Sequence, residues 1–160
     1  MIIVNPLKPI YNKNSKILIL GSFPSLISRR ENFYYANKNN RFWKIFENIY
    51  SVKLVTLKNK INFLLKNKIA LWDIIYSCEI NNSTDSTIKN VVPNNINIII
   101  KNSNIKHIFI TGKTALRYYK KFFKDVINLS ITYLPSPSSA NATYSLDKLV
   151  EIYKNILVYL

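Results

Sequence analysis

The chain has 160 residues, a single cysteine (Cys78), a single histidine (His107) and a formal charge of +15. Its length suits one domain, residues 1–160, whose core closes without metal or cross-link; one cysteine and one histidine exclude an intrachain disulfide, a four-cysteine iron–sulfur cluster and a closed Cys/His zinc site. The charge suits a polyanion, nucleic acid first, because each neutralised phosphate releases counterions, yet abundant Lys, Asn and Ile beside only Arg29, Arg30, Arg41 and Arg117 is also what an AT-rich coding sequence produces, so charge alone does not decide.

In chain order, Met1–Val4 gives way at once to Asn5 and Pro6, and no later apolar run approaches the roughly 18 residues of a membrane span. The expectation is a cytoplasmic protein. Lys16–Leu20 (KILIL) reads as a buried strand ended by Gly21. Phe42, Ile45, Phe46 and Ile49 recur at helical spacing, as do Leu57, Ile61, Leu64 and Leu65. Ile69–Trp72 (IALW) is a second strand, and the polar stretch Ser77–Asn95 reads as a long loop. Lys106–Thr111 (KHIFIT) is a third strand, ended by Gly112; a helix follows with Ala115, Leu116, Tyr119 and Phe122 on its apolar face. Ile131–Leu134 (ITYL) completes four strands, and a last helix, N-capped by Ser145, carries Leu146, Leu149, Val150, Tyr153, Leu157 and Leu160 along one stripe. Strands alternating with helices predict an α/β fold, a three-layer αβα sandwich around a central, mainly parallel four-stranded sheet. Both glycines of the chain stand where a strand hands over to a loop, the edge at which open α/β sheets bind ligands.

Two segments at that edge carry the chemistry. Gly21-Ser22-Phe23-Pro24-Ser25 follows the first strand, with Tyr34-Tyr35 and Asn40-Arg41-Phe42-Trp43 further on; Leu134-Pro135-Ser136-Pro137-Ser138-Ser139-Ala140-Asn141 follows the last. Either alone is an ordinary turn or surface loop. Together, two proline-stiffened loops at one edge could grip a phosphodiester backbone through hydroxyls and N–H groups while an aromatic ring stacks on an extruded base.

In this order, these motifs resemble those of the hypoxanthine-DNA glycosylases, a family of the uracil-DNA glycosylase superfamily. The resemblance extends through Leu71-Trp72-Asp73-Ile74-Ile75, Ser77-Cys78-Glu79, Asp85-Ser86, Pro93-Asn94 and Thr111-Gly112-Lys113, and so covers residues 16 to 142. It implies a monomeric, cofactor-free and metal-free enzyme that acts on DNA containing a deaminated base, with no membrane partner, and hydrolyses the N-glycosidic bond in base excision repair. Hypoxanthine is the implied base; uracil or xanthine preference, or a non-catalytic nucleic-acid binding module of the same fold, are the alternatives.

The roles implied by the resemblance fall on particular residues. Asn40, the asparagine of the Asn-x-Phe-Trp motif, is the expected catalytic residue, its amide oxygen orienting the attacking water. Gly21, Ser22, Phe23, Pro24 and Ser25, together with Tyr35 and Phe42, are expected to form the base pocket, Phe23 stacking on the base and backbone N–H groups meeting the purine as charge develops. Lys113 and the loop residues Ser136, Pro137, Ser138, Ser139, Ala140 and Asn141 are expected to contact DNA. Relatives commonly place a small residue, His and Pro ahead of the motif asparagine, where this chain reads Ala36-Asn37-Lys38; the first loop also lacks the Asp or Asn of the uracil enzymes.

Other signals carry less. Thr111-Gly112-Lys113-Thr114 ends like a phosphate-binding Walker loop but has His107 where that pattern needs Gly. His107 itself lies in an apolar strand and reads as a buried neutral side chain, with no Gly-x-Ser-x-Gly elbow nearby to suggest a serine hydrolase. Asp73 and Asp85 are read as loop anchors accepting backbone N–H bonds rather than as a working carboxylate pair. Tyr118–Lys124 interleaves bases with aromatics, but its helical register puts half of it in the core.

Overall fold

The computed structural model describes residues 1–160. Its elements are β1 (Ile3–Val4), β2 (Ile17–Gly21), α1 (Leu26–Glu31), α2 (Phe42–Tyr50), α3 (Leu57–Lys66), β3 (Ile69–Asp73), β4 (Ile75–Glu79), β5 (Lys89–Pro93), α4 (Asn97–Lys101), β6 (His107–Thr111), α5 (Lys113–Phe122), β7 (Ser130–Leu134) and α6 (Leu146–Tyr153), closed by a 3-10 turn over Lys154–Tyr159. The main sheet has the order β3-β2-β6-β7 and every pairing in it is parallel. All residues of β2, β3 and β6 are buried, as continuous apolar runs covered by helices on both faces must be. The α/β architecture and the four strands expected from the sequence are those observed.

Local chemistry explains where the helices begin. Thr56 and Asn59 form a reciprocal capping box at α3, and the Ser145 hydroxyl accepts the Lys148 N–H at α6, as its position before the apolar stripe predicts. That stripe does not continue as an α-helix to Leu160: the last turns tighten into the 3-10 segment, where His107 stacks on Tyr159 with ring centroids 3.9 Å apart. His107 also pairs through its two ring nitrogens with the Ser130 and Thr132 hydroxyls, each at 2.7 Å, and burial lowers its pKa. It stands at the amino end of β6, away from the ligand edge, and its role is structural. No helix is long and apolar enough to cross a membrane.

One expectation is corrected. Much of Ser77–Asn95 is not loop: β4 pairs antiparallel with both β1 and β5 to make a second, three-stranded sheet. The β4–β5 ladder carries register shifts, and Asn90 adopts a left-handed conformation (φ 55°), so no clean alternation of apolar and polar residues marks these strands in the sequence. The chain crosses from the large sheet to the small one at Ile74. There the Ile74 and Ile75 N–H groups donate to the carbonyls of Gly21 and Ser22, at 2.8 and 3.1 Å, and the buried Asn94 side chain donates to the Asp73 and Ile75 carbonyls, at 2.9 and 3.3 Å. This crossing fixes where β3 ends and what its last side chain faces.

Candidate active site

From β2 the chain proceeds to β3 on one side, whereas β6 and β7 lie on the other, so the topological switch point falls between β2 and β6. A crevice must open beyond the carboxyl ends of those two strands. A cleft of about 960 Å³ lies there, flanked by Gly21 and Gly112, a size in the range that holds small organic ligands. Gly112 has φ +85°, a conformation that L side chains rarely adopt, and a Cβ there would only meet the Ser136 Cβ of the β7–α6 loop at 3.4 Å, so the backbone turn into α5 and not the space requires glycine.

The floor of the cleft holds a carboxyl group. Gly21 and Asp73 are register partners at the ends of β2 and β3. A Cβ at position 21 would lie 2.8 Å from Asp73 Oδ1 and 3.1 Å from the Tyr35 hydroxyl, so glycine is what allows both groups to face the cavity. Asn5, held beneath the floor, donates through Nδ2 to Asp73 Oδ2 at 3.1 Å. Asp73 is only 4 % exposed. Burial pushes its pKa up to about 7; the Asn5 hydrogen bond works against that shift and the nearby Asp85 charge adds to it. Asp73 is therefore not a loop anchor, since what meets its carboxyl is a side-chain amide. The only hint in the sequence is a lone acid ending an otherwise apolar strand, IALWD.

Above the floor, Phe23 lines one wall with the Arg29 guanidinium 5.4 Å from its ring centre. Residues 80–87 close over the same wall: the Ser83 hydroxyl accepts the Leu26 N–H at 2.8 Å, and Arg29 donates to the Asn82 carbonyl at 2.8 Å. Asp85 reaches the Ser22 hydroxyl at 3.4 Å. Burial raises its pKa, opposed by hydrogen bonds from Thr114 and Ser22. Asp85, unlike Asp73, does anchor its loop, though through hydroxyls rather than backbone N–H groups.

The opposite wall comes from residues 34–40. Tyr35 holds a left-handed conformation (φ 50°), which aims its hydroxyl at Thr111 Oγ1, 3.5 Å away, while its ring stacks on Phe42 at 4.0 Å. Phe42, expected in the pocket, is fully buried behind Tyr35 and supports it from the core. Asn40 lines the cleft at the start of α2, and its Oδ1 accepts the Phe42 N–H at 2.9 Å. One lone pair is committed to that hydrogen bond; the second lone pair and the Nδ2 donors remain for a ligand.

The sequence profile described as "Uracil DNA glycosylase superfamily" matches residues 8–157. The chain belongs to the uracil DNA glycosylase superfamily. It is 32% identical over 113 residues to the hypoxanthine DNA glycosylase of Methanosarcina barkeri, covering 69% of this chain and 72% of that one. It is 29% identical over 142 residues to the hypoxanthine DNA glycosylase of Methanosarcina acetivorans, covering 87% and 89%. The solution NMR structure of a protein from Methanosarcina acetivorans described as a candidate uracil DNA glycosylase superposes with a TM-score of 0.80 at 27% identity, covering 97% of this chain and 98% of that one.

In this member of the DNA glycosylase superfamily the β7–α6 loop forms the rim of the cleft, and Lys113 stands exposed beside it at the start of α5. Ser136 Oγ accepts the Ser138 N–H and Ser138 Oγ accepts the Ala140 N–H, each at 3.2 Å, so both hydroxyl protons stay free to donate outward. Ser139 and Ala140 are exposed at the tip. Asn141 donates to the Ser136 carbonyl at 3.0 Å and braces the loop from within, whereas the following helix is capped by Ser145. The Tyr153 hydroxyl, fully buried, holds the Pro135 carbonyl at 2.7 Å.

Proposed function

We propose that the protein is a monofunctional DNA glycosylase that releases a deaminated base, hypoxanthine foremost, and leaves an abasic site for base excision repair. The observation that carries this reading is Asp73, a buried carboxyl on the floor of a cleft whose rim is a hydroxyl-rich loop. Deaminated bases share a lactam edge, an N–H beside a carbonyl. A neutral carboxyl is its complement, accepting from the N–H and donating to the oxygen. Asn5 donates to Oδ2, which leaves the proton on Oδ1, the oxygen beside Gly21. A base entering the cleft expels water and disfavours the charged carboxylate further, so Asp73 is neutral in the complex.

The chemistry follows. As the bond from N9 to C1′ breaks, its electron pair moves into the purine, and the Asp73 O–H bond to the purine oxygen strengthens with the developing charge. A buried carboxylic acid kept neutral so that it can donate in this way is an established catalytic device. Water oriented by the Asn40 amide adds to C1′; its oxygen forms the new bond and its proton leaves to solvent or to the departing base. Phe23 supplies a face for stacking. The one lysine that lines the cleft, Lys113, is exposed at the start of α5 beside the rim and not beside Asp73, which favours hydrolysis without strand cleavage over Schiff-base chemistry.

The test is to incubate the purified protein with duplexes bearing one hypoxanthine, uracil, xanthine or adenine, and to assay abasic sites after alkali. Release of hypoxanthine above the others is expected. Release of uracil alone would overturn the specificity, and no release despite salt-sensitive binding would favour a binding module. The same duplexes test the rim: Ser138→Ala combined with Ser139→Ala should weaken DNA affinity by roughly tenfold, the scale of losing one or two phosphate hydrogen bonds, with base preference unchanged. A changed base preference would place the loop on the base instead of the backbone.

A further inference from the structure

Arg41 lies between Asn40 and Phe42, yet its polar groups turn away from both. Its backbone N–H donates to the Pro137 carbonyl at 3.0 Å, and Nε reaches the same carbonyl at 3.3 Å. Nη2 donates to the carbonyls of Ser138 and Asn141, at 2.6 and 3.1 Å, and Nη1 to that of Tyr144. One guanidinium thus gathers four carbonyls of the β7–α6 loop. No carboxylate shares it: the ion pairs in the protein are Met1 with Glu79 and Lys148 with Glu151. A planar fork of fixed donors suits such a ring of acceptors, and a single ammonium does not.

The consequence is mechanical. The residue that carries the loop is the neighbour of Asn40, whose own side chain accepts the Phe42 N–H at the start of α2 and lines the cleft. Displacing the loop must drag on the Arg41 backbone and so on the turn that sets the Asn40 amide.

Resting on the glycosylase reading above, we propose that Arg41 is a positioning residue that locks the Ser136–Tyr144 loop to the Asn40 turn, so that seating the loop in the duplex and placing the amide at the reaction centre are one event. Its positive charge, unmatched by any acid, also lies directly beneath the loop offered to phosphates.

The test compares Arg41→Met and Arg41→Lys with the wild type on hypoxanthine in duplex and in single-stranded DNA, with thermal melting as the control for folding. For Arg41→Met, kcat/KM on duplex should fall roughly 100-fold, the scale of a displacement of about an ångström at a reaction centre, with a loss of under about tenfold on single strands, where no base has to be drawn from a stack. Arg41→Lys should recover only a small part of the duplex activity. Equal losses on the two substrates, or full recovery by lysine, would overturn the proposal; should Arg41→Met fail to fold, the Arg41→Lys comparison decides in the same way. Were the wild type itself to release no base, the glycosylase reading would fail separately, and Arg41 would be judged by duplex binding: weakened binding by Arg41→Met, little restored by Arg41→Lys, would uphold its hold on the loop, and unchanged binding would overturn it.

Discussion

Replacing Asp73 by alanine is expected to lower kcat/KM on hypoxanthine-containing DNA by two to three orders of magnitude, roughly the cost of removing a donor aimed at developing charge, while Asp73→Asn keeps most of the activity. An amide is the neutral counterpart of the protonated carboxyl. With its oxygen held by Asn5 at the Oδ2 position, its N–H group takes the place of the Oδ1 proton beside Gly21. The pH profile separates the two variants further. In the wild type kcat/KM should fall as pH rises through about 7, where the free carboxyl ionises; in Asp73→Asn that limb should be flat. An Asn variant as inactive as the Ala variant, with wild-type activity rising through the same pH, would instead make the ionised Asp73 a general base toward water.

The same residue sets a stability signature of definite sign. Its folded pKa of about 7 lies above its ordinary 3.8, so the native state binds the proton more tightly than the unfolded chain. The contribution is fully present below the ordinary value and is lost as pH rises through about 7. Asp73→Asn has nothing to ionise and should be more stable than the wild type by up to about 4 kcal/mol at pH 8, with little difference at pH 4. Chemical denaturation at the two pH values measures it.

Asn40→Ala is expected to reduce turnover by at least about two orders of magnitude, as the loss of a group that orients the nucleophile does, with DNA binding retained. Because Asn40 also accepts the Phe42 N–H, the variant should lose about 1 kcal/mol of stability. Asn40→Asp separates the roles, since aspartate keeps the bond to the Phe42 N–H and an acceptor for water but loses the Nδ2 donors. Single-turnover rates beside melting temperatures distinguish them: restored stability with low turnover would assign the catalytic part to the Nδ2 donors, whereas restored turnover would assign it to the oxygen.

How much of this was legible before the fold is clear from particular residues. Lys16–Leu20 and Lys106–Thr111 are recognisable as strands, and Gly21 and Gly112 as their ends, because an uninterrupted apolar run and a glycine are local signals. Ser145 is recognisable as a cap for the same reason: its partner, Lys148, lies three residues along the chain. The motifs around Gly21–Ser25, Asn40 and Ser136–Asn141 identify the superfamily from residue order alone.

Other features depend on contacts that no local pattern encodes. Asp73 becomes a cleft residue through the parallel register that sets it beside Gly21, and through Asn5, 68 residues away. Arg41 sits inside a recognised motif, but its partners lie 96 to 103 residues further along, so nothing in its neighbourhood marks it as the clasp of the rim. The antiparallel sheet of β1, β4 and β5 escapes notice because bulged pairing erases the alternation that reveals a strand. Sequence by itself determined the four strands of the parallel sheet, the glycines that end two of them and the kinship, which rest on periodicity and residue order. Only the tertiary structure decided which carboxyl is buried at the cleft floor and which cation holds its rim, since burial and hydrogen-bond partnership are properties of distant segments brought together.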